Sequence, residues 1–232
     1  MKRRVVITGI GPATAIGTGK KEFTAGIFNL KTIIEKVPEN FENNYRFKSR
    51  HFVPKPKVDL KELGIHKSIS GMMEEAAKLA VLCSKLALDD AGIEIHNGGR
   101  LWQAVGMENC SVIIGIGMSS LQTALESYTA HIAGTNIQRE GTPLNQPRFN
   151  RMVIPMMMTN SPAAWISILY GLKGLSYTVN ASCASGSCAI GESYRNISSG
   201  RCDATLTGGV EVLAEKNGAI MRGFDMLTTL TK

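Results

Sequence analysis

No apolar run in this chain approaches the roughly 20 residues that a membrane-spanning helix needs. The charged start "MKRRVVITGIGPATAIG" has its apolar part broken by Gly, Pro and Thr, so it reads as a first strand and turn rather than a signal peptide. A cytoplasmic protein without membrane contact is expected. Cysteine is sparse and odd in number: five residues (Cys83, Cys110, Cys183, Cys188, Cys202) with no C-x-x-C pair. That excludes a disulfide framework or a zinc site as the organising feature, and no metal or other cofactor is expected. Aromatics make up only 6% of the residues. The formal net charge of +7 is scattered through "KRR", "KPKVDLKELGIHK" and "RFNR" without interleaved aromatics, so nucleic acid is not the expected partner. An excess of positive charge favours an acidic one. Short-period repeats and low-complexity tracts are also missing.

What remains is the composition of an ordinary globular protein, 44% hydrophobic and 19% charged over 232 residues. "RRVVITGIG" reads as a buried strand ending in a glycine turn, and "GKKEFTAGIFNL" as an amphipathic segment after it. Residues 35–67, with Pro38, Pro54 and Pro56, look like a polar excursion over the surface. The strongest helix starts near Ser70, in "SGMMEEAAKLAVLCSKLALDDAG". Ser70 is its expected cap, Glu74 and Glu75 favour its positive end, and Gly92 stops it. A strand "CSVIIGIG", a helix through "SSLQTALESYTAHIA" and a loop over 134–150 follow. Next come a helix after Asn160 with Pro162 in its first turn, the strand "SYTVNAS", a helix from about Ala184 to Ser199, and the strand "DATLTGGVEV". Strands alternating with helices predict an α/β layered domain with a largely parallel sheet.

Two stretches invite a chemical reading. In "VVITGIGPATAIG", Gly9 and Gly11 follow the first strand, but Thr14 stands where a dinucleotide fingerprint needs its third glycine. Pro12 sits inside the turn and no acidic strand end follows, so a tight strand-to-helix turn is the better reading. In "SYTVNASCASGSCAIGESY", Cys183 falls at a change from β-branched alternation to small residues. A thiol at a helix N-terminus meets unpaired backbone N–H groups and the positive end of the dipole, both of which favour thiolate. Ala181, Ser182, Ala184, Ser185 and Gly186 leave room for a substrate carbonyl, and the Cys183 N–H can donate to an oxyanion. A small buried cysteine packing as an apolar residue fits the same spacing, and spacing alone leaves both readings open. Cys83, Cys110, Cys188 and Cys202 read as core.

The stretch "VNASCASGSCAIGESYRNISSGRCDATLTGGVEV" resembles the active-site cysteine segment of β-ketoacyl-acyl carrier protein synthases, the condensing enzymes of fatty-acid and polyketide synthesis. The resemblance runs through "RRVVITGIGPATAIG", "AAKLAVLCSKLALDDAGI", "VIIGIGMSS", "IPMMMTNSPAAWISILYGLKG" and "RGFDMLTTL", in the family's order. It implies a thiolase-like layered α/β/α/β/α fold, of which residues 1–232 would be the N-terminal half. It also implies that Cys183 is the nucleophile that takes an acyl group from a carrier-protein thioester. A carbanion formed from a malonyl thioester by loss of carbon dioxide would then attack the acyl-enzyme. By the same resemblance Met118 gates the acyl tunnel, Phe224 stands near the pocket mouth, and Asn160 belongs to the substrate-binding set. Core packing is the alternative for Met118 and for the Met156–Met158 run. The acidic acyl carrier protein would dock on Lys67, Arg148 and Arg151, although "KSISGMMEE" is poorer in basic residues than the family's usual patch. Residues 176–182 would form an edge strand pairing with a second subunit, as homodimer or heterodimer.

The family's chemistry also uses two histidines, a lysine and a second oxyanion N–H, which the resemblance assigns to the other half of the fold. His51, His66, His96 and His131 match none of those histidine motifs and read as solvated or structural, with His131 at an exposed helix end. The chain is therefore expected to need a second polypeptide, or a missing half, for full condensation. A split subunit, a truncated gene product and a trimmed chain all satisfy this. A non-catalytic partner of a complete synthase is the alternative from another class. The missing histidines favour it and Cys183 opposes it. A thiolase would carry its acylated cysteine much earlier in the chain.

Overall fold

A computed structural model describes residues 3–42, 45–99, 101–118, 121–139, 150–213 and 217–232. Three short antiparallel pairs decorate the fold: β1 (Ala13–Thr14) with β2 (Gly17–Thr18), β3 (Glu35–Lys36) with β4 (His51–Phe52), and β5 (Ile95–Asn97) with β6 (Trp102–Ala104). The central sheet is parallel, with β7 (Ser111–Gly115) between β8 (Ser176–Val179) and β9 (Thr205–Gly209). The helices are α1 (Gly19–Phe28), α2 (Lys67–Ser70), α3 (Glu75–Asp90), α4 (Leu121–Arg139), α5 (Val153–Met157), α6 (Ser161–Tyr170), α7 (Ser185–Ser198) and α8 (Ala219–Met226). Among the described residues no helix is long and apolar enough to cross a membrane.

Strand β7 is buried along its whole length, as a central parallel strand covered on both faces must be. Side chains alternate across it. Val112, Ile114 and Ile116 join the main core with α3 and α6, while Gly115, of opposite parity, lies against the first turn of α7. The result is a helix–sheet–helix sandwich. In α3 the small residues Ala76, Ala77 and Ala80 are buried, as is Ala163 of α6, which lets the two helices approach closely. Tyr170, fully buried at the end of α6, donates its hydroxyl to the Val81 carbonyl at 2.9 Å and packs on Trp102. Helix α6 begins with Pro162 in its first turn, as expected, and stops at Gly171 in a left-handed conformation (φ 68°).

Some expectations need correction. The stretch 3–12 forms no strand. Val6 and Ile7 are exposed, and no neighbouring strand among the described residues supplies a ladder. Nor is its glycine pair a strand-to-helix turn. An added Cβ on Gly9 would stand 2.2 Å from the Ala87 carbonyl oxygen and one on Gly11 2.1 Å from that of Cys83, so both glycines let this segment cross the backbone of α3. Ser70 does not cap the long helix. It closes the short α2, and the cap of α3 is Glu74, whose buried carboxylate accepts from the Ala76 N–H at 2.9 Å. A longer acidic side chain does here what the shorter hydroxyl was expected to do. Helix α4 continues to Arg139, so residues 134–139 are helical and His131 lies within the helix rather than at its end. Helix α5, within the apolar methionine run, was not foreseen.

The excursion over 35–67 is tied down by a second, smaller core of Phe41, Phe47 and Met221. Its polar anchor is Asp225 of α8, buried, whose carboxylate accepts from the Tyr45 hydroxyl at 2.7 Å and from the N–H groups of Lys48 and Ser49 at 3.0 and 2.9 Å. Burial opposes ionisation of this carboxyl, but the three donors outweigh it and hold Asp225 below the usual carboxylate range.

Three outcomes are expected. Gly115→Ala forces a Cβ to 2.3 Å from the Ser185 carbonyl group and should lower unfolding stability in urea by about 3 kcal/mol. Gly223→Ala, in a helix and with open space around it, should raise stability by about 1 kcal/mol. For Asp225 the folded-state pKa lies below the unfolded one. Its contribution is therefore complete above about pH 4 and lost as pH falls through the folded value. Asp225→Asn should accordingly lower stability at neutral pH, with the gap from wild type narrowing as acid unfolding is followed downward.

Candidate active site

The three parallel strands end together, and the chain leaves each at the same edge of the sheet. In open α/β sheets that C-terminal edge is where ligands bind. After β7 come Gly117 and Met118, after β8 the segment Asn180–Cys183, and after β9 Val210 and Glu211. Helix α7 starts directly above them. Its approach is possible because Gly115, Gly186 and Gly209 carry no side chain: Cβ atoms on Gly186 and Gly209 would come within 3.2 Å of the opposing glycine's Cα.

Cys183 is an exposed free thiol two residues before α7. The buried alternative is therefore excluded for this residue. The residue before it, Ser182, has φ 52°, a left-handed conformation that β-carbon-bearing residues adopt at a cost. A web of short contacts holds that turn. The Ser185 hydroxyl donates to the Ser182 carbonyl at 2.7 Å and accepts from the Ala181 N–H at 2.9 Å. The Asn180 side chain accepts from the Ser182 N–H at 3.2 Å and donates to the Gly117 carbonyl at 2.9 Å. Opposite, one carboxylate oxygen of Glu211 accepts from both the Gly117 and Met118 N–H groups at 2.8 Å. An exposed sulfur in front of the first turn of a 14-residue helix, on a small-residue turn, is placed to attack an electrophilic carbon approaching from solvent.

The other cysteines differ. Cys110 is buried and Cys83 packs against the main core, and burial pushes both thiols up to about 11. Cys188 and Cys202 are half-buried rather than fully core. Met118 is 45% exposed at the end of β7, next to the residue that bonds Asn180, so core packing is excluded for it. Met156 is core, whereas Met157 and Met158 are exposed. Phe224 is half-buried on α8, and Asn160 is exposed as the cap residue of α6. Lys67 and Arg151 are both exposed, on α2 and just before α5, and Arg148 lies outside the described residues. His51 stands on β4, His96 on β5 and His131 on α4, while His66 caps α2 and bonds Ser68. None of the four is on the elements that build the Cys183 turn, and residues 111–118 and 176–213 contain neither histidine nor lysine. Asn180 and Glu211 had not been singled out, and Ser185 had been read only as a small residue leaving room for substrate. The one available signal was a carboxylate inside the apolar "TLTGGVEVL".

The architecture is that of the thiolase-like condensing enzymes. The solved structure of the ishigamide ketosynthase/chain length factor superposes with a TM-score of 0.77 at 23% identity, covering 100% of this chain and 52% of that one. A β-ketoacyl synthase from Burkholderia phymatum gives 0.72 at 27% identity, covering 98% and 50%. Residues 2–232 match the family described as beta-ketoacyl synthase, N-terminal domain, and the chain belongs to that family. Among curated relatives, 3-oxoacyl-[acyl-carrier-protein] synthase 1 of Haemophilus influenzae is 28% identical over 212 residues, which are 91% of this chain and 47% of that protein. A 3-oxoacyl-[acyl-carrier-protein] synthase homolog of Saccharomyces cerevisiae is 26% identical over 230 residues, 91% of this chain and 49% of its own. The chain thus spans about half the length of the curated relatives it matches.

The strained turn makes its own prediction. Ser182→Gly should relieve the left-handed penalty and stabilise the protein by about 0.5–1 kcal/mol, and Ser182→Val should destabilise it by at least as much. Paired urea titrations check both.

Proposed function

We propose that this chain is the cysteine-bearing, N-terminal part of a β-ketoacyl-acyl carrier protein synthase, with residues 1–232 as one domain and Cys183 as the acyl acceptor. The observation that carries the reading is the exposed Cys183 thiol on a small-residue turn at the C-terminal edge of a parallel sheet, in a chain of this family. The Cys183 sulfur attacks the carbonyl carbon of an acyl thioester, a new C–S bond forms as the carrier's C–S bond breaks, and the proton given up by Cys183 leaves on the carrier's thiol. The acyl chain runs past Met118, with Phe224 and Asn160 bordering the pocket. Lys67, Arg148 and Arg151 meet an acidic carrier protein in the cytoplasm.

Among the described residues edge strand β8 is free on one side, which suits pairing with a second subunit. The second chemical step needs donors that stabilise the enolate left by decarboxylation of the malonyl thioester. With no histidine or lysine on the elements around Cys183, those donors come from elsewhere, on a second polypeptide or a further half.

The protein incubated with a hexanoyl thioester of pantetheine should gain one hexanoyl group, mapped by peptide mass to Cys183, lost in Cys183→Ala and blocked by cerulenin. No 3-oxoacyl product should form from a malonyl thioester until a polypeptide carrying the two histidines and the lysine is added. Acylation at Cys188 or Cys202 instead of Cys183, or complete condensation by this chain alone, would overturn the reading.

A further inference from the structure

The hydrogen bonds around the Cys183 turn form a continuous relay that starts on a different strand. Glu211, just past β9, clamps the Gly117 and Met118 N–H groups with one oxygen. Its other carboxylate oxygen is buried and bonds to no group among the described residues, so the carboxylate is held inside the protein rather than spread over its surface. The clamped peptide presents the Gly117 carbonyl to the Asn180 amide, and the same amide's oxygen receives the Ser182 N–H. Ser182 is the left-handed residue immediately before Cys183. Steric room is set by the same contacts: an added Cβ on Gly117 would lie 2.9 Å from the Glu211 carboxylate and 3.7 Å from the Ser182 carbonyl oxygen.

We propose that Asn180 and Glu211 are positioning residues for Cys183, with Glu211 acting through the Gly117–Met118 peptides and Asn180 rather than on the sulfur itself. The inference deepens the acyl-acceptor reading and rests on it only for the reaction that the turn serves. A charge-assisted clamp on two N–H groups is stronger than a neutral one, which accounts for a carboxylate at position 211. The conformation before Cys183 is unfavourable by itself, and the surrounding bonds must over-determine it for it to persist. Without the clamp the turn relaxes and the sulfur leaves its place ahead of α7.

The test compares wild type with Asn180→Ala, Glu211→Ala, Glu211→Gln and Tyr170→Phe. The last loses one buried hydrogen bond of the core without touching the turn. Alkylation of Cys183 by iodoacetamide, followed by peptide mass, should slow about fivefold in Asn180→Ala and Glu211→Ala, the effect of roughly one lost hydrogen bond. Glu211→Gln, which keeps an acceptor oxygen, should recover part of that loss and serves in place of Glu211→Ala if the alanine variant does not fold. Tyr170→Phe should lower the melting temperature and leave the alkylation rate as in wild type. Amide exchange at Ser182 should rise in the Glu211 variants, although that residue makes no direct contact with the clamp oxygen. Unchanged Cys183 alkylation and Ser182 exchange in folded Glu211 and Asn180 variants would overturn the proposal. So would slowing in Tyr170→Phe of the same size. Hexanoyl transfer from pantetheine, measured on the same proteins, separates the two claims. Slowed alkylation with no acylation of wild type removes the acyl-acceptor reading alone, and normal acylation with unaltered alkylation removes the positioning role alone.

Discussion

Everything at the candidate site depends on how closely the first turn of α7 lies on the ends of β7 and β9. Three glycines, Gly115, Gly186 and Gly209, make that approach possible, since a Cβ on Gly115 would collide with the Ser185 backbone and one on Gly186 or Gly209 would crowd the opposing glycine. Helix and sheet interiors are packed as densely as crystals of small molecules, so a contact with no spare volume sets positions to a fraction of an ångström. The axis of α7, the direction of its dipole and the height of Cys183 above the sheet all follow from this one contact. Gly186 weakens the helix slightly as an isolated element. Its position in the fold repays that loss by bringing backbone to backbone.

The same edge carries polar groups that a packed core would normally exclude. Asn180, Ser185 and Glu211 are not distributed over the strand ends at random, because each of them satisfies backbone groups that the ends of β7 and β8 leave open. Strand ends and helix starts share a problem, namely N–H and C=O groups without ladder or helix partners. Here side chains solve it, and the geometry they impose leaves one sulfur facing solvent. A distinct arrangement holds the other end of the chain. Asp225 gathers Tyr45, Lys48 and Ser49, binding the irregular stretch after β3 to α8.

Legibility varied with the kind of interaction. Helix α3, strand β7 and the β8–α7–β9 unit could be read from periodicity and from Gly and Pro punctuation, because their apolar patterns are local and strong. Stretch 3–12 looked equally apolar but is not a strand, since a strand exists only where another offers a ladder. The cap of α3 went to Glu74 rather than Ser70 because the chain makes a separate short helix first. Cys183 was visible as a small-residue anomaly, and the family resemblance narrowed its meaning. Glu211 and Asn180 were not visible as partners, because each bonds Gly117 from another strand end, 94 residues away for Glu211 and 63 for Asn180.

By itself, then, the sequence determined the parallel α/β class, helix α3 and the β8–α7–β9 unit, which follow from local pattern, while Cys183 stood out among five cysteines only once the family resemblance was added to its small-residue setting. Only the tertiary structure decided which thiol faces solvent, that Ser182 takes a left-handed conformation, and that a carboxylate past β9 reaches the turn after β8. Those outcomes depend on contacts between residues far apart in the chain, and exposure and strain exist only once neighbours are in place.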